Sequence, residues 1–405
     1  MINLCGDDIL IQIFITIDNI NNINNILLTN NIFNKSLFTH IIYNKKDIKY
    51  LKGFKNLKVI NLTRHMYINN LIFLINHKYI VELRLSKCIY IKNLDDIIIC
   101  KLLKKLYLDD TFINNIDIVN NIKTLTYLNL HNCTYLHTIP ILNDNILELD
   151  ISNTINLINN VYILKNLINL NLSNCQLYND INDINDINNI HRLINLKTLN
   201  LSYTNIISIS FLQDLIKLEE LNLNYCRFIY NFEPIKYCNK LNILNLIYTK
   251  ISDLLCINTL INLVTLNLNS CSYLYCFNNI SNCINIITLE LRNCNITILD
   301  FLRNLINLEI LDITNTNIKV LDILYYLTNL RILYLTNCIR IIDFIPLEYC
   351  INIYELNLES CNILDLNILN KLYKLKKLNL AYCPNIIDYT ILNKFNLTYI
   401  DMRHI

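Results

Sequence analysis

The sequence predicts an α/β solenoid, in which short repeats stack and each contributes one parallel strand and a compact helical or 3₁₀ return. Three observations support this. An apolar motif recurs about every 22 residues along most of the 405-residue chain. Apolar residues alternate inside the motif, as on one face of a strand, and recur every third residue after it. Neither half could bury its apolar side chains alone, so neighbouring repeats must stack.

The motif is Leu-x-x-Leu-x-Leu-x-x-(Cys/Thr), as in Leu125, Leu128, Leu130 and Cys133, with Ile in place of Leu in some copies. We call its third apolar residue the marker. Fourteen of the fifteen steps between markers are 21 to 23 residues, and the step from 172 to 201 is 29. The markers are residues 62, 85, 108, 130, 151, 172, 201, 223, 246, 268, 291, 313, 335, 358, 380 and 402.

This pattern resembles the leucine-rich repeat family over residues 57–405, as about 16 repeats with an insertion near 178–190. The resemblance implies a curved horseshoe with parallel strands on its concave face and short helical or 3₁₀ returns on its convex face. It also implies a protein-recognition function. The insertion holds three tandem Asn-Asp-Ile units, for which slippage in AT-rich DNA is a simpler explanation than a calcium loop.

The third position after the marker is a small side chain, Cys or Thr, in fourteen repeats. Such a residue suits a buried turn because it fills little volume and donates a hydrogen bond. We therefore expect a structural role, with no metal or cofactor, and treat the other seven Cys as core filler. The Cys at this position are Cys88, Cys133, Cys175, Cys226, Cys271, Cys294, Cys338, Cys361 and Cys383, and the Thr are Thr111, Thr154, Thr204, Thr249 and Thr316.

The N-terminal segment differs from the repeats, because residues 1–36 carry apolar residues at helical spacing. Residues 8–18 and 26–33 resemble the two halves of an F-box, although Cys5 and Gly6 stand where Leu-Pro is usual. The resemblance implies that a Skp-type adaptor docks on Leu10, Ile13, Phe14 and Ile17. The alternative is a plain helical cap. Residues 37–56 are expected to form a degenerate capping repeat.

Departures from the consensus on the predicted concave face are the candidate partner-binding residues. Tyr203, Tyr225 and Tyr248 precede the Cys/Thr position in three consecutive repeats, so we expect them to stack. Tyrosine is favoured at interfaces because it offers a large area at a small entropic cost. The frequent Asn at the central exposed strand position is interpreted as consensus surface. The other candidates are Arg84, Tyr107, His131, Arg292, Tyr334 and Tyr382.

Composition excludes several other functions. A net charge of +2 favours neither nucleic acid nor membrane, and two Gly cannot build a phosphate-binding loop. No apolar run is long enough for a membrane span and no signal peptide is evident, so an intracellular location is expected. No catalytic constellation is evident, which argues against an enzyme. The sequence thus predicts a protein-binding module, either the substrate receptor of an SCF-type cullin ubiquitin ligase or a scaffold resembling phosphatase regulators.

Overall fold

The computed structural model describes residues 56–154, 160–177 and 187–403, together with Leu51 and the backbone of residues 40–42. The chain divides into two compact units, Met1–Gln176 and Leu177–Ile405. The F-box-like residues Leu10, Ile13, Phe14 and Ile17 lie outside the described residues, as does most of the predicted insertion.

The predicted strands are confirmed: one three-residue strand directly precedes each of the sixteen markers. A further strand, β1, lies within residues 37–56 and pairs with β2. In each unit every strand pairs in parallel with the next, and strand residues of equivalent repeat position face each other, as Leu244 faces Leu266. The first unit contains β1 His40–Ile42, β2 Val59–Asn61, β3 Glu82–Arg84, β4 Lys105–Tyr107, β5 Tyr127–Asn129, β6 Glu148–Asp150 and β7 Asn169–Asn171. The second contains β8 Thr198–Asn200, β9 Glu220–Asn222, β10 Ile243–Asn245, β11 Thr265–Asn267, β12 Thr288–Glu290, β13 Ile310–Asp312, β14 Ile332–Tyr334, β15 Glu355–Asn357, β16 Lys377–Asn379 and β17 Tyr399–Asp401.

The returns are short 3₁₀ helices, and the described residues contain no α-helix. Their apolar residues recur every third position, which matches three residues per 3₁₀ turn. In the first unit they span Ile72–Asn76, Asp95–Ile99, Asp117–Asn121 and Val161–Ile163. In the second they span Ile187–Arg192, Ser210–Asp214, Glu233–Tyr237, Leu255–Ile257, Asn278–Asn282, Asp300–Leu302, Asp322–Tyr326, Ile345–Tyr349, Leu366–Lys371 and Thr390–Lys394.

The core lies between the strands and the returns of each unit. From β2 to β16 the central strand residue and the marker are both buried, as Leu244 and Leu246 are, and so is the first apolar residue of the motif, such as Leu241. Each such side chain contributes about 1.5–3 kcal/mol by leaving water. This burial repeats from β2 to β16, whereas Ile400 and Met402 of the last repeat are 40% and 36% exposed. The first and third strand residues remain at least partly exposed, except the buried Asp312, and form what we call the strand face.

A left-handed residue ends each strand turn, which explains how a chain with two Gly turns so often. The second residue after the marker has a φ between 55° and 64° in fifteen repeats, and none of these residues is Gly. We call this the left-handed position. Asparagine, which tolerates this conformation well, is the commonest residue there. Its occupants are Arg64, Lys87, Asp110, Asn132, Asn153, Asn174, Tyr203, Tyr225, Tyr248, Ser270, Asn293, Asn315, Asn337, Ser360 and Tyr382.

Asparagine at the third strand position forms the same turn rather than serving as mere surface. Its Oδ1 accepts the backbone N–H two residues later, as Asn245 does from Ile247 at 3.1 Å. Asp150 and Asp312 make the equivalent bond with a carboxylate. Such local bonds are why Asn and Asp favour turns. The interpretation of these Asn as consensus surface was therefore incomplete.

Candidate partner-binding surface

The structure places the predicted candidate residues at three positions of the repeat. Arg84, Tyr107 and Tyr334 occupy the third strand position, where most repeats carry the turn-forming Asn or Asp. His131 and Arg292 directly follow their markers. The four candidate tyrosines Tyr203, Tyr225, Tyr248 and Tyr382 occupy the left-handed position.

Tyr203, Tyr225 and Tyr248 stack on one another, and we call them the tyrosine ladder. The ring centroids of Tyr203 and Tyr225 are 4.6 Å apart with an interplanar angle of 11°. Those of Tyr225 and Tyr248 are 4.5 Å apart at 33°. Tyr203 and Tyr248 are exposed, so the ladder presents aromatic area and hydroxyl groups to a partner. Partial desolvation and the neighbouring tyrosines raise the pKa of Tyr225, which keeps its hydroxyl protonated.

The backbone of the tyrosine ladder is strained. The φ values of Tyr203, Tyr225 and Tyr248 are 60°, 59° and 55°. A left-handed conformation costs about 1–2 kcal/mol for a residue with a Cβ, and a bulky residue there is an outlier. In six other repeats Asn fills this position, and its amide hydrogen-bonds to the preceding repeat, as Asn315 does to Asn293 at 2.7 Å. Asn would therefore adopt this backbone conformation at a lower energetic cost than the three consecutive tyrosines.

Arg227 lies against the tyrosine ladder. Its guanidinium carbon is 4.8 Å from the ring centroid of Tyr225 and 5.7 Å from that of Tyr248. Cation–π contacts of this kind contribute about 0.5–1 kcal/mol at exposed sites. Arg227 belongs to the loop after the Cys position and was not among the predicted partner-binding residues. Its spacing two residues after a candidate tyrosine was the available signal.

A second aromatic group lies on the strand face of the first unit. The ring centroids of Tyr107 and Tyr127 are 4.7 Å apart, and the guanidinium carbon of Arg84 is 4.7 Å from the Tyr107 ring. Arg84 also pairs with Glu82 through a 2.6 Å contact between Nε and Oε1. Burial raises the pKa of Tyr127 to about 12, and Tyr107 and nearby carboxylates add to the shift. Tyr127 was not predicted because it occupies the first strand position, whose outward direction depends on the observed register.

Charged groups surround Arg292 and the strand-face residue Tyr334 in the second unit. Nη2 of Arg292 lies 3.4 Å from Oδ2 of the buried Asp312. The Tyr334 hydroxyl donates to Oε1 of Glu355 at 2.7 Å, and Lys377 binds Oε2 of the same carboxylate at 2.9 Å. Burial, followed by the bond to Glu355, raises the pKa of Tyr334 to about 12. Although burial opposes the shift, the bonds from Lys377 and Tyr334 lower the pKa of Glu355.

His131 belongs to a polar chain rather than standing alone on the surface. Its Nδ1 lies 2.7 Å from Oγ of Ser152, which donates to Oδ1 of Asp150 at 2.5 Å. The backbone N–H of His131 is bound by Asn129. Ser152 is buried between the other two groups. Here the Ser152 hydroxyl, not the imidazole, lies between the other two groups. These three side chains therefore do not have the arrangement of a hydrolase triad, in which the imidazole bridges the hydroxyl and the carboxylate.

The nine Cys at the third position after the marker are all buried. Each Sγ lies 3.0–3.2 Å from the marker carbonyl of the preceding repeat, as Cys226 does from Leu201. The Thr at this position instead donate to their own marker carbonyl, so Thr204 and Cys226 share the carbonyl of Leu201. Burial raises the pKa of Cys226 to about 11, which suppresses thiolate formation.

The described residues contain no group of three His, Cys, Asp or Glu side chains arranged to hold a metal ion. Nor does that part of the chain contain a helix of the length and apolarity needed to cross a bilayer. Within each unit the predicted partner-binding residues form separate groups. In the first unit these groups lie around Tyr107 and His131. In the second they lie around the tyrosine ladder and Tyr334, and the N–H of Tyr382 binds the carbonyl of Arg403.

Comparison with known proteins agrees with this architecture. A family model described as leucine-rich repeats (2 copies) matches residues 194–237. A leucine-rich repeat protein of Leptospira interrogans superposes with a TM-score of 0.67 at 19% identity, covering 89% of this chain and 99% of that one. The fold is a leucine-rich repeat solenoid. No curated protein matches the chain.

Two further solved structures share the leucine-rich repeat fold. The functional domain of InlJ from Listeria monocytogenes, described as including a cysteine ladder, has a TM-score of 0.62 at 18% identity, covering 85% of this chain and 72% of that one. The plant peptide hormone receptor RGFR1 in complex with RGF2 has a TM-score of 0.54 at 14% identity, with coverages of 91% and 67%. At these identities the likeness concerns the fold alone. Leucine-rich repeat proteins are generally protein-interaction modules.

Proposed function

We propose that this chain is a protein-recognition module that captures its partner on the strand face and on the adjoining left-handed turns. The observation that carries the proposal is the tyrosine ladder, which holds the exposed Tyr203 and Tyr248 on either side of the half-buried Tyr225 on a strained backbone. Strained residues persist where the surrounding structure enforces them, and they concentrate at functional sites. Stacked Tyr and an adjoining Arg are also the residue types that dominate binding energy at protein interfaces.

The repeat architecture supports the same function. Rigid parallel strands hold each exposed residue at a fixed position, so binding requires little ordering of the module. Arg84, Tyr107 and Tyr127 offer a second aromatic contact on the strand face of the first unit. The solved complex of the plant receptor RGFR1 with RGF2 is a precedent for ligand binding by this fold.

The test is quantitative capture of partners by the full chain, followed by mass spectrometry. We expect the triple variant Tyr203→Ser/Tyr225→Ser/Tyr248→Ser to lose the partners enriched by the unaltered chain. The matched control is Tyr230→Ser/Tyr273→Ser/Tyr275→Ser, which removes three exposed tyrosines outside the ladder. Equal capture by both variants and the unaltered chain would show that the ladder is not the recognition surface.

The finer proposal is that the module selects substrates for an SCF-type cullin ubiquitin ligase. It is supported by the sequence resemblance of residues 8–18 and 26–33 to an F-box. In this function Leu10, Ile13, Phe14 and Ile17 contact a Skp-type adaptor, and the strand face holds the substrate. The adaptor would thereby bring the captured protein to the ligase.

Co-purification with a Skp-type adaptor tests this finer proposal. We expect the full chain to bind the adaptor and Ile13→Asp/Phe14→Asp to abolish binding, whereas Tyr203→Ser/Tyr225→Ser/Tyr248→Ser leaves it unchanged. The absence of adaptor binding would favour the alternative function, a scaffold or enzyme regulator similar to leucine-rich repeat phosphatase subunits. Partner capture through the tyrosine ladder is common to both alternatives.

A further inference from the structure

The six residues around each tyrosine of the ladder carry positive charge and no acidic residue. Residues 202–207, 224–229 and 247–252 contain Arg227 and Lys250 but neither Asp nor Glu, and Asp253 directly follows the third range. Lys250 follows Tyr248 by two residues, as Arg227 follows Tyr225, and both cations are exposed. The aromatic surface is therefore bordered by two cations on adjacent repeats.

Arg227 and Lys250 differ from the cation of the Tyr107 group, because that cation is paired with a carboxylate of this chain. Arg84, stacked on Tyr107, forms a 2.6 Å ion pair with Glu82. Arg227, stacked on Tyr225, and Lys250 have no ion pair with any carboxylate among residues 56–154, 160–177 and 187–403. The ring contacts hold the guanidinium of Arg227 in place while its N–H donors remain available to an anion.

We propose that the tyrosine ladder, together with Arg227 and Lys250, binds a segment of a partner protein that is rich in Asp and Glu. This inference rests on the proposed function and specifies the chemistry of its partner. A partner carboxylate accepts hydrogen bonds from Arg227, and a second pairs with Lys250. The hydroxyls of the exposed Tyr203 and Tyr248 are further donors, and the exposed Phe228 supplies apolar contact beside Arg227.

Geometry favours a protein segment over a single-stranded nucleic acid. Bases bind to aromatic side chains by stacking on free ring faces. In the ladder the inner faces cover one another at 4.5–4.6 Å, which leaves no gap for a base. Two cations over three repeats are also few for a backbone that carries a phosphate at every nucleotide. Carboxylates spaced along a peptide match this sparse charge better.

Selection of peptides by the full chain tests the inference. The probe is a library of random 12-residue peptides displayed on phage, followed by fluorescence anisotropy on an enriched peptide. We expect enrichment in Asp and Glu, and an affinity that falls as sodium chloride is raised because the pairs are exposed. Arg227→Gln/Lys250→Gln should weaken binding of that peptide at least about tenfold, as expected on losing charge-assisted hydrogen bonds.

Arg303→Gln is the matched control, because Arg303 also lies over a tyrosine ring, 5.0 Å from the centroid of Tyr326, but outside the ladder. It should leave peptide affinity unchanged. If the peptides that require the tyrosine ladder for binding were neutral or basic, the proposal of an acidic partner segment would be wrong, whereas the proposed function would stand. If a 12-nucleotide oligo(dT) bound more tightly than the enriched peptide, and this binding depended on Arg227, the ligand would be a nucleic acid rather than an acidic protein segment. Enrichment that is indifferent to Tyr203→Ser/Tyr225→Ser/Tyr248→Ser would count against both proposals.

Discussion

Asn315 donates a hydrogen bond from Nδ2 to Oδ1 of Asn293 over 2.7 Å, and both residues have left-handed backbone. Asn337 extends the row by the same bond to Asn315. A similar row runs from Asp110 through Asn132 and Asn153 to Asn174 in the first unit. Asparagine thus tolerates the left-handed backbone at this position and also hydrogen-bonds to the neighbouring repeat. Its replacement by Tyr in three consecutive repeats calls for a reason outside folding.

We therefore expect Tyr203→Asn/Tyr225→Asn/Tyr248→Asn to separate folding from binding. The substitution relieves left-handed strain but loses two ring contacts of about 0.5–1.5 kcal/mol each, so the two effects largely offset. The free energy of unfolding in urea should change by about 1 kcal/mol or less, whereas affinity for the partner should fall at least about tenfold. Asn315→Ala is the control and should lower stability without affecting binding. A large loss in the free energy of unfolding, with unchanged affinity for the partner, would assign the tyrosines to folding.

The turn formed by the third strand residue yields a second prediction. Asn245→Ala removes the acceptor of the Ile247 N–H, so we expect a loss of about 1 kcal/mol in the free energy of unfolding. Asn245→Asp should lose less, because Asp150 and Asp312 make this bond in their own repeats. Urea unfolding followed by circular dichroism measures both variants. Equal losses for Ala and Asp would show that the amide acts through other contacts.

Thiol reactivity provides a third test, aimed at the buried Cys. Burial raises the pKa of Cys226 to about 11 and that of Cys100 to about 12, so at pH 8 both are almost wholly protonated. Iodoacetamide applied to the folded chain at this pH should leave both unmodified, whereas the partly exposed Cys276 reacts. Peptide mapping by mass spectrometry after timed quenching gives each rate. Modification of Cys226 as fast as in urea would contradict the burial described above.

The sequence predicted the strands because their determinants are local. The alternation around Leu128 and Leu130 and the regular step between markers define the strand, its buried face and its neighbour. The stacking of Tyr203 on Tyr225 followed from the same register, since equivalent positions of adjacent repeats lie side by side.

Contacts that depend on side-chain direction could not be predicted in this way. The spacing of Arg227 does not reveal that its guanidinium bends back over Tyr225, nor that Ser152 joins His131 to Asp150. The role of Asn245 was also hidden, because an Asn at an exposed strand position and an Asn closing a turn have the same sequence signature. These features require the left-handed backbone, which no Gly marks in this chain.

Alkaline pH provides the last prediction, because Tyr127 and Tyr334 both have a pKa of about 12 in the folded chain. An unfolded tyrosine ionises near pH 10. Between these values the folded state binds more protons than the unfolded state, so the stability that these groups contribute below pH 10 is lost as the pH rises towards 12. Urea unfolding at stepped pH values from 8 to 11 should show this decline.

Tyr334→Phe should lessen the decline in the second unit, because the substituted ring cannot ionise beside Glu355. Tyr273→Phe, which replaces an exposed tyrosine, is the control and should leave the pH dependence unchanged. A Tyr334→Phe variant whose stability declines as steeply as that of the unaltered chain would contradict the raised pKa of Tyr334.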